Sequence, residues 1–341
     1  MNLKELCFDL ASKTGTSGDE KEAALFAKSE LEKYMNVKID TLGNVIGSCG
    51  NGVTHILLDA HIDQIGLVVK GIDDKGFILV DRVGGPDERV LIGSEVTVHG
   101  KCPLFGVICS TPPHLLSAED KKSGVDIKKI AVDIGLNKKE AEKVVEIGDR
   151  ITLRCCPCEL LNGNIVSGAF DDRCSVAAIL RALEMVDGKI NNLTLTVLFS
   201  VQEETGGSGA KTGSFASMPD YAIAVDVGFG DDPYTDKAET ITLGKGPSIG
   251  ISPTLDREFT NELKQICKEN NIPYQHDVMG GRTGTNADSI NNTGKGVKTA
   301  LLSIPLRYMH TGIEVVNIND IENTAKVIAE YLLKKEAEYC D

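Results

Sequence analysis

Apolar and polar positions alternate at a helical period from the N-terminus to about Tyr34, and the run Thr14-Gly-Thr-Ser-Gly-Asp-Glu splits that stretch into two amphipathic helices. Ser17 or Asp19 is placed to cap the second. Three short strands follow, VKIDTL, NVIGSC and HILLDA, and the last is apolar enough to be a central strand buried on both faces. From about Leu67 to Leu161 the pattern shifts to short β-like runs (LVVKGI, GFILVDRV, SEVTVHG, LFGVIC, DRITLRC) separated by Gly, Asp and Pro turns, with one helix-like segment, KKEAEKVVEIG. After Asn162 helices and strands alternate again: DDRCSVAAILRALEMV, LTLTVLFSVQ, YAIAVDVG, EFTNELKQICKENN, TALLSIPLRYM and a closing helix, INDIENTAKVIAEYLLKKEAE.

This rhythm predicts an α/β fold, a mostly parallel sheet flanked by helices, carrying an inserted small β-rich domain. Residues 1–67 and 162–341 would form the main domain, and 68–161 the insert. A chain of 341 residues is long enough for two such units.

Composition narrows the function. Charged residues are 25% and hydrophobic residues 41%, which fits a globular protein and argues against long disorder. The net charge of −14 repels phosphate backbones and anionic lipid, so neither nucleic acid nor a membrane is an expected partner. Charges interrupt the N-terminal helix and no long apolar span occurs, so cytoplasmic residence is the expectation. The 10 cysteines, Cys7, Cys49, Cys267 and Cys340 among them, are scattered except for Cys155-Cys156-Pro-Cys158. With no second CxxC or histidine pair at finger spacing, that cluster reads as reduced cysteines on a strand.

Five motifs sit at or near the ends of predicted elements, where open α/β sheets gather their sites. In Asp59-Ala-His61-Ile-Asp63, residues two apart on extended chain point the same way, so His61 and Asp63 face one site and Asp63 can orient a ligand histidine. Asp171 and Asp172, before a helix, are either dipole-favouring caps or contain a carboxylate that bridges two ions. Glu203 and Glu204, ending a buried strand, would point to opposite sides, one to a metal and one to a water as general base. Asp226, amid Ala, Ile and Val, needs a partner if it is buried, and His310 ends another strand. Two histidines with several carboxylates and no thiolate suit zinc, cobalt or manganese.

In this order the motifs HxD (61–63), GxxDDR (168–173), QEE (202–204), VDVG (225–228) and MHTG (309–312) resemble the co-catalytic metallopeptidases of peptidase family forty-two, which include glutamyl, deblocking and tetrahedral (TET) aminopeptidases. The resemblance spans nearly the whole chain. It implies two divalent metal ions per subunit, zinc or cobalt, with manganese the third candidate. His61 and Asp226 would be terminal ligands of one, Glu204 and His310 of the other, and Asp171 the bridge. Glu203 would be the general base, Asp63 would orient His61, and a cis peptide would follow Asp171.

The insert is similar to the family's dimerisation domain, and such dimers commonly build tetrahedral dodecamers. The implied activity is removal of N-terminal residues from short peptides. Gln64 and Gly312 stand where relatives often have Glu and Pro. The run Met279–Asp288 resembles a Gly-rich substrate loop, which makes Arg282 and Thr283 candidate substrate contacts. A deacylase or carboxypeptidase on the same metal core is the alternative. An endoglucanase ranks below it, since glycosidases need two carboxylates and no histidine ligands. An inactive binding module also ranks below it, since such a module has no use for Glu203.

Overall fold

The computed structural model describes residues 2–117, 125–236 and 239–338. Cys340 and part of the β-rich segment, 118–124, lie outside the described residues.

Among the described residues, eleven strands form one sheet. Its centre is four parallel strands, in spatial order Thr194–Ser200, His55–His61, Tyr221–Phe229 and Lys298–Arg307. Their interiors are almost wholly buried, as strands covered on both faces must be. Phe170–Met185 and Ile318–Glu338 pack on one face and on each other, with Leu3–Ser12 against them. Ser208–Ser217 and Ala287–Ile290 cover the other face.

The expectation of a mostly parallel sheet is corrected here: the sheet is mixed. Val45–Cys49, Ser248–Ile251 and Glu314–Asn317 join the centre antiparallel, and Asn36–Ile39 and Asn164–Ser167 extend the edges in the same way. Asn36–Ile39 and Val45–Cys49 fall in the expected strands VKIDTL and NVIGSC, but their direction was not readable, and the other three are only four residues long and did not stand out against the longer central runs.

Gly66–Ile72, Ile78–Val83, Glu95–His99, Pro103–Ser110, Ile130–Asp133 and Arg150–Leu153 close into a six-stranded antiparallel barrel. Alternate residues, Leu67, Val69, Ile78, Val80, Val96, Val98 and Ile151 among them, fill a core separate from that of the sheet. The KKEAEKV segment is a helix, Lys138–Val144, held by an Asn137–Glu140 capping box.

Two local expectations need correction. Neither Ser17 nor Asp19 caps Lys21–Leu31: its N-cap is Glu20, with no side-chain cap bond. Ser17 instead bonds the Thr205 hydroxyl at 2.8 Å, and the Glu20 carboxylate accepts from the Gly18 and Gln202 amides. Cys155 and Cys156 are not on a strand but in the connection leaving the barrel, while Cys158 opens the two-residue strand Cys158–Glu159. All three are free thiols.

Candidate metal centre

The chain ends of the central strands converge on one cavity of about 680 Å³. His61, Asp171, Glu203, Glu204, Asp226 and His310 all line it. His61 is the last residue of its strand, and Asp226 stands within Tyr221–Phe229. Asp171 lies in the turn entering the long helix Phe170–Met185, where its φ/ψ is not yet helical, and its peptide bond to Asp172 is cis. Arg173, which completes the GxxDDR motif, is wholly buried and donates to the carbonyls of Ile62, Leu10 and Lys13. That ties the helix start to the end of the His61 strand.

Glu203 and Glu204 depart from the expected alternation. The strand ends at Ser200, the two glutamates sit on the turn beyond it, and both face the cavity. Their placement comes from Asp63, which is fully buried and accepts the Glu203 amide at 3.0 Å and the Glu204 amide at 3.1 Å. The same carboxylate is 3.4 Å from His61 Nδ1, which also meets the Asp63 carbonyl at 3.0 Å.

Asp171 is the shared member of two donor groups. Its Oδ1 is 3.1 Å from His61 Nε2 and its Oδ2 is 3.4 Å from His310 Nε2. His310 Nε2 is also 3.6 Å from Glu204 Oε1. His61, Asp171 and Asp226 each offer an atom within 4.8 Å of the others', and so do Asp171, Glu204 and His310. Glu203 belongs to neither group.

Electrostatics argue that this set is built for cations. Burial, then the neighbouring Glu203 and Asp171 charges, holds the Asp226 carboxyl well above its ordinary range. Burial, then Asp171, pushes Glu204 up to about 8, and burial raises Glu203 too. Desolvation works on Asp171 as well, but hydrogen bonds from His310 and His61 hold it below the usual carboxylate value. Burial disfavours a charged His310, yet Asp171 and Glu204 carry it up to about 9. Among the described residues, no lysine or arginine lines the cavity. Clustered carboxylates with two histidines and no basic side chain match the nitrogen and oxygen donors that hold divalent zinc, cobalt or manganese. Binding there would oppose the upward push on Asp226 and Glu204.

Sequence reasoning missed two supporting groups, Glu314 and Gly85, and the role of a third, Asp172. Glu314, 1% exposed, accepts the Asp171 amide at 3.0 Å and the His310 amide at 3.1 Å, positioning both. A glutamate four residues past His310, at the head of an apolar VV pair, was the available signal. Asp172 accepts the His61 amide at 3.2 Å. Gly85, from the barrel segment, offers its carbonyl to His310 Nδ1 at 2.9 Å, and an added Cβ there would lie 3.1 Å from that nitrogen. Nothing local marks that long-range contact.

The two substrate candidates divide. Thr283 lines the cavity, on a loop whose Thr283 and Gly284 amides are gathered by the Asp288 carboxylate at 3.1 and 3.0 Å. Arg282 is not among the lining residues. Its side chain is 84% exposed and turns toward Asp288, 3.5 Å away at the start of the helix Ala287–Ile290 that follows the loop.

Fold and site together define an aminopeptidase-type hydrolase. The family model described as M42 glutamyl aminopeptidase matches residues 43–327, and the chain belongs to that family. A lysyl aminopeptidase of Pyrococcus furiosus is 34% identical over 88% of this chain and 87% of its own. Among solved structures, an aminopeptidase from the archaeon Desulfurococcus kamchatkensis is similar at a TM-score of 0.91, with 31% identity, covering 99% of this chain and 98% of its own. The Pyrococcus horikoshii TET1 peptidase, which can assemble into a tetrahedron or a large octahedral shell, has a TM-score of 0.87 and 32% identity, covering 98% and 100%. No helix among the described residues is long and apolar enough to cross a membrane.

Proposed function

We propose that the protein removes N-terminal residues from short peptides with the help of two divalent ions, one held by His61, Asp171 and Asp226 and the other by Asp171, Glu204 and His310. The observation that carries this reading is the sharing of Asp171 between two donor groups, beside a glutamate that belongs to neither. The bound ions would polarise the scissile carbonyl and bring the pKa of the attacking water toward neutrality.

Glu203 takes the proton from that water as its oxygen bonds to the carbonyl carbon. As the carbon–nitrogen bond breaks, Glu203 returns the proton to the departing amine. Its burial raises its carboxyl and so makes it a better base near neutral pH. Asp63 holds the Glu203–Glu204 turn and His61 in one register, and Glu314 does the same for Asp171 and His310. A cavity lined by acids prefers a free α-amine to a blocked or acidic terminus. Thr283 is placed to meet the peptide backbone.

The barrel serves as a dimerisation domain, and a tetrahedral dodecamer would confine the sites to short, unfolded peptides. Supporting this are the TET1 assemblies and exposed apolar side chains on the barrel segment, such as Phe105 and Ile147.

The test is a set of matched peptides with free, acetylated and C-terminally amidated ends. Loss of cleavage on N-acetylation, with indifference to amidation, supports an aminopeptidase. Loss on amidation instead indicates a carboxypeptidase, and preference for the acetylated set a deacylase.

A further inference from the structure

One titratable side chain of the cavity takes no part in the metal centre. Asp277 lies in the edge strand Gln275–Val278, half-buried, and lines the same cavity. Register explains how it gets there. Asp226 pairs with Ser303, Ser303 with Ser248, and Ser248 with Gln275. Asp277 is two residues past Gln275, so it faces the same side of the sheet as Asp226. It lies three strands away, about 14 Å across.

The floor between them runs from Ser303, which lines the cavity beside Asp226, to a low apolar stretch next to Asp277. Asp277 pairs with Gly250, where an added Cβ would sit 3.0 Å from Leu301 Cβ. Leu301 lines the cavity, as do Phe229 and Met279. Among the described residues the Asp277 carboxylate has no hydrogen-bond donor and no cationic partner, and desolvation alone raises it. A half-buried carboxylate without a partner is costly, and a ligand that brings a cation removes the cost.

We propose that Asp277 determines the preferred N-terminal residue: the protein selects lysine or arginine, whose aliphatic stem lies along Leu301, Phe229 and Met279 and whose charge meets the Asp277 carboxylate. This rests on the aminopeptidase reading. A short side chain leaves Asp277 unmet, and glutamate adds a like charge where no basic residue compensates it.

The experiment measures kcat/KM of the metal-loaded protein on p-nitroanilides of lysine, arginine, norleucine, leucine and glutamate. Lysine should exceed norleucine, its counterpart without the amine, by about 10-fold or more, as expected of a charge-assisted hydrogen bond. Asp277→Asn should lower the lysine and arginine values about 10- to 100-fold and leave leucine within about twofold. The lysine–norleucine comparison needs no variant, so a poorly folding Asp277→Asn would not protect the idea. Release led by leucine or glutamate, or equal loss for lysine and leucine in the variant, overturns the proposal and leaves the aminopeptidase standing. Release of none of the five overturns both.

Discussion

Replacing Asp63 by Asn tests whether one carboxylate organises the site. Asp63 is fully buried and accepts two backbone amides through its two oxygens, at 3.0 and 3.1 Å. An asparagine keeps the shape but retains one acceptor, and its amide nitrogen must face an N–H. One hydrogen bond to a charged acceptor is lost, about 1.5–3 kcal/mol, and a buried donor is left unmet, about 1–3 kcal/mol more. Allowing for partial relaxation, Asp63→Asn should destabilise the chelated protein by about 2–5 kcal/mol, a large part of a stability of about 5–15 kcal/mol. Urea unfolding of chelated wild type and variant reads this directly. Metal affinity should also fall about 10- to 100-fold, because the turn that carries Glu204 loosens and the charge 3.4 Å from His61 Nδ1 is removed, although the Asp63 carbonyl still meets that nitrogen. If Asp63 only steered His61, affinity would fall while the urea midpoint stayed put. A change below about 0.5 kcal/mol in the chelated protein would therefore refute the organising role.

Glu203→Gln should retain both metals and the urea midpoint while losing about 10²–10⁴-fold in turnover, since only proton transfer is removed; near-normal kcat would remove Glu203 from that role. In the chelated protein, Glu204 protonates at about 8 against 4.5 ordinarily, and His310 at about 9 against 6.5. Both folded pKa values lie above the unfolded ones, so the folded state binds more protons in those windows and stability should fall as pH rises from about 4.5 through 9. Thermal melts of chelated protein across that range should slope downward, with saturating metal flattening the slope; a flat chelated profile contradicts the assigned environments.

The long central strands and helices were legible because each carries a full apolar run, and six polar residues that line the cavity, His61, Asp171, Glu203, Glu204, Asp226 and His310, stood out because they end such runs or, for Asp226, interrupt one. What escaped lies between segments distant in sequence. Glu314 acts across 143 residues on Asp171, and Gly85 across 225 on His310. Glu203 and Glu204 were found, but their direction was misjudged, because the strand stops at Ser200 and a turn held by Asp63 replaces the alternation. The mixed character of the sheet escaped because four-residue edge strands take their direction from pairing rather than from their own composition. Arg282 drew attention by its charge, which in the structure faces Asp288 in the helix that follows the loop.

The central claim is a two-ion site that hydrolyses peptides from the amino end. It is tested most directly by stripping the protein with chelator and titrating zinc, cobalt or manganese back, with bound metal and release of p-nitroaniline from lysine p-nitroanilide followed together. The account predicts that activity returns in step with metal and reaches its plateau near two ions per subunit. Full activity in the stripped protein, or a plateau at one ion with no second bound, would contradict it.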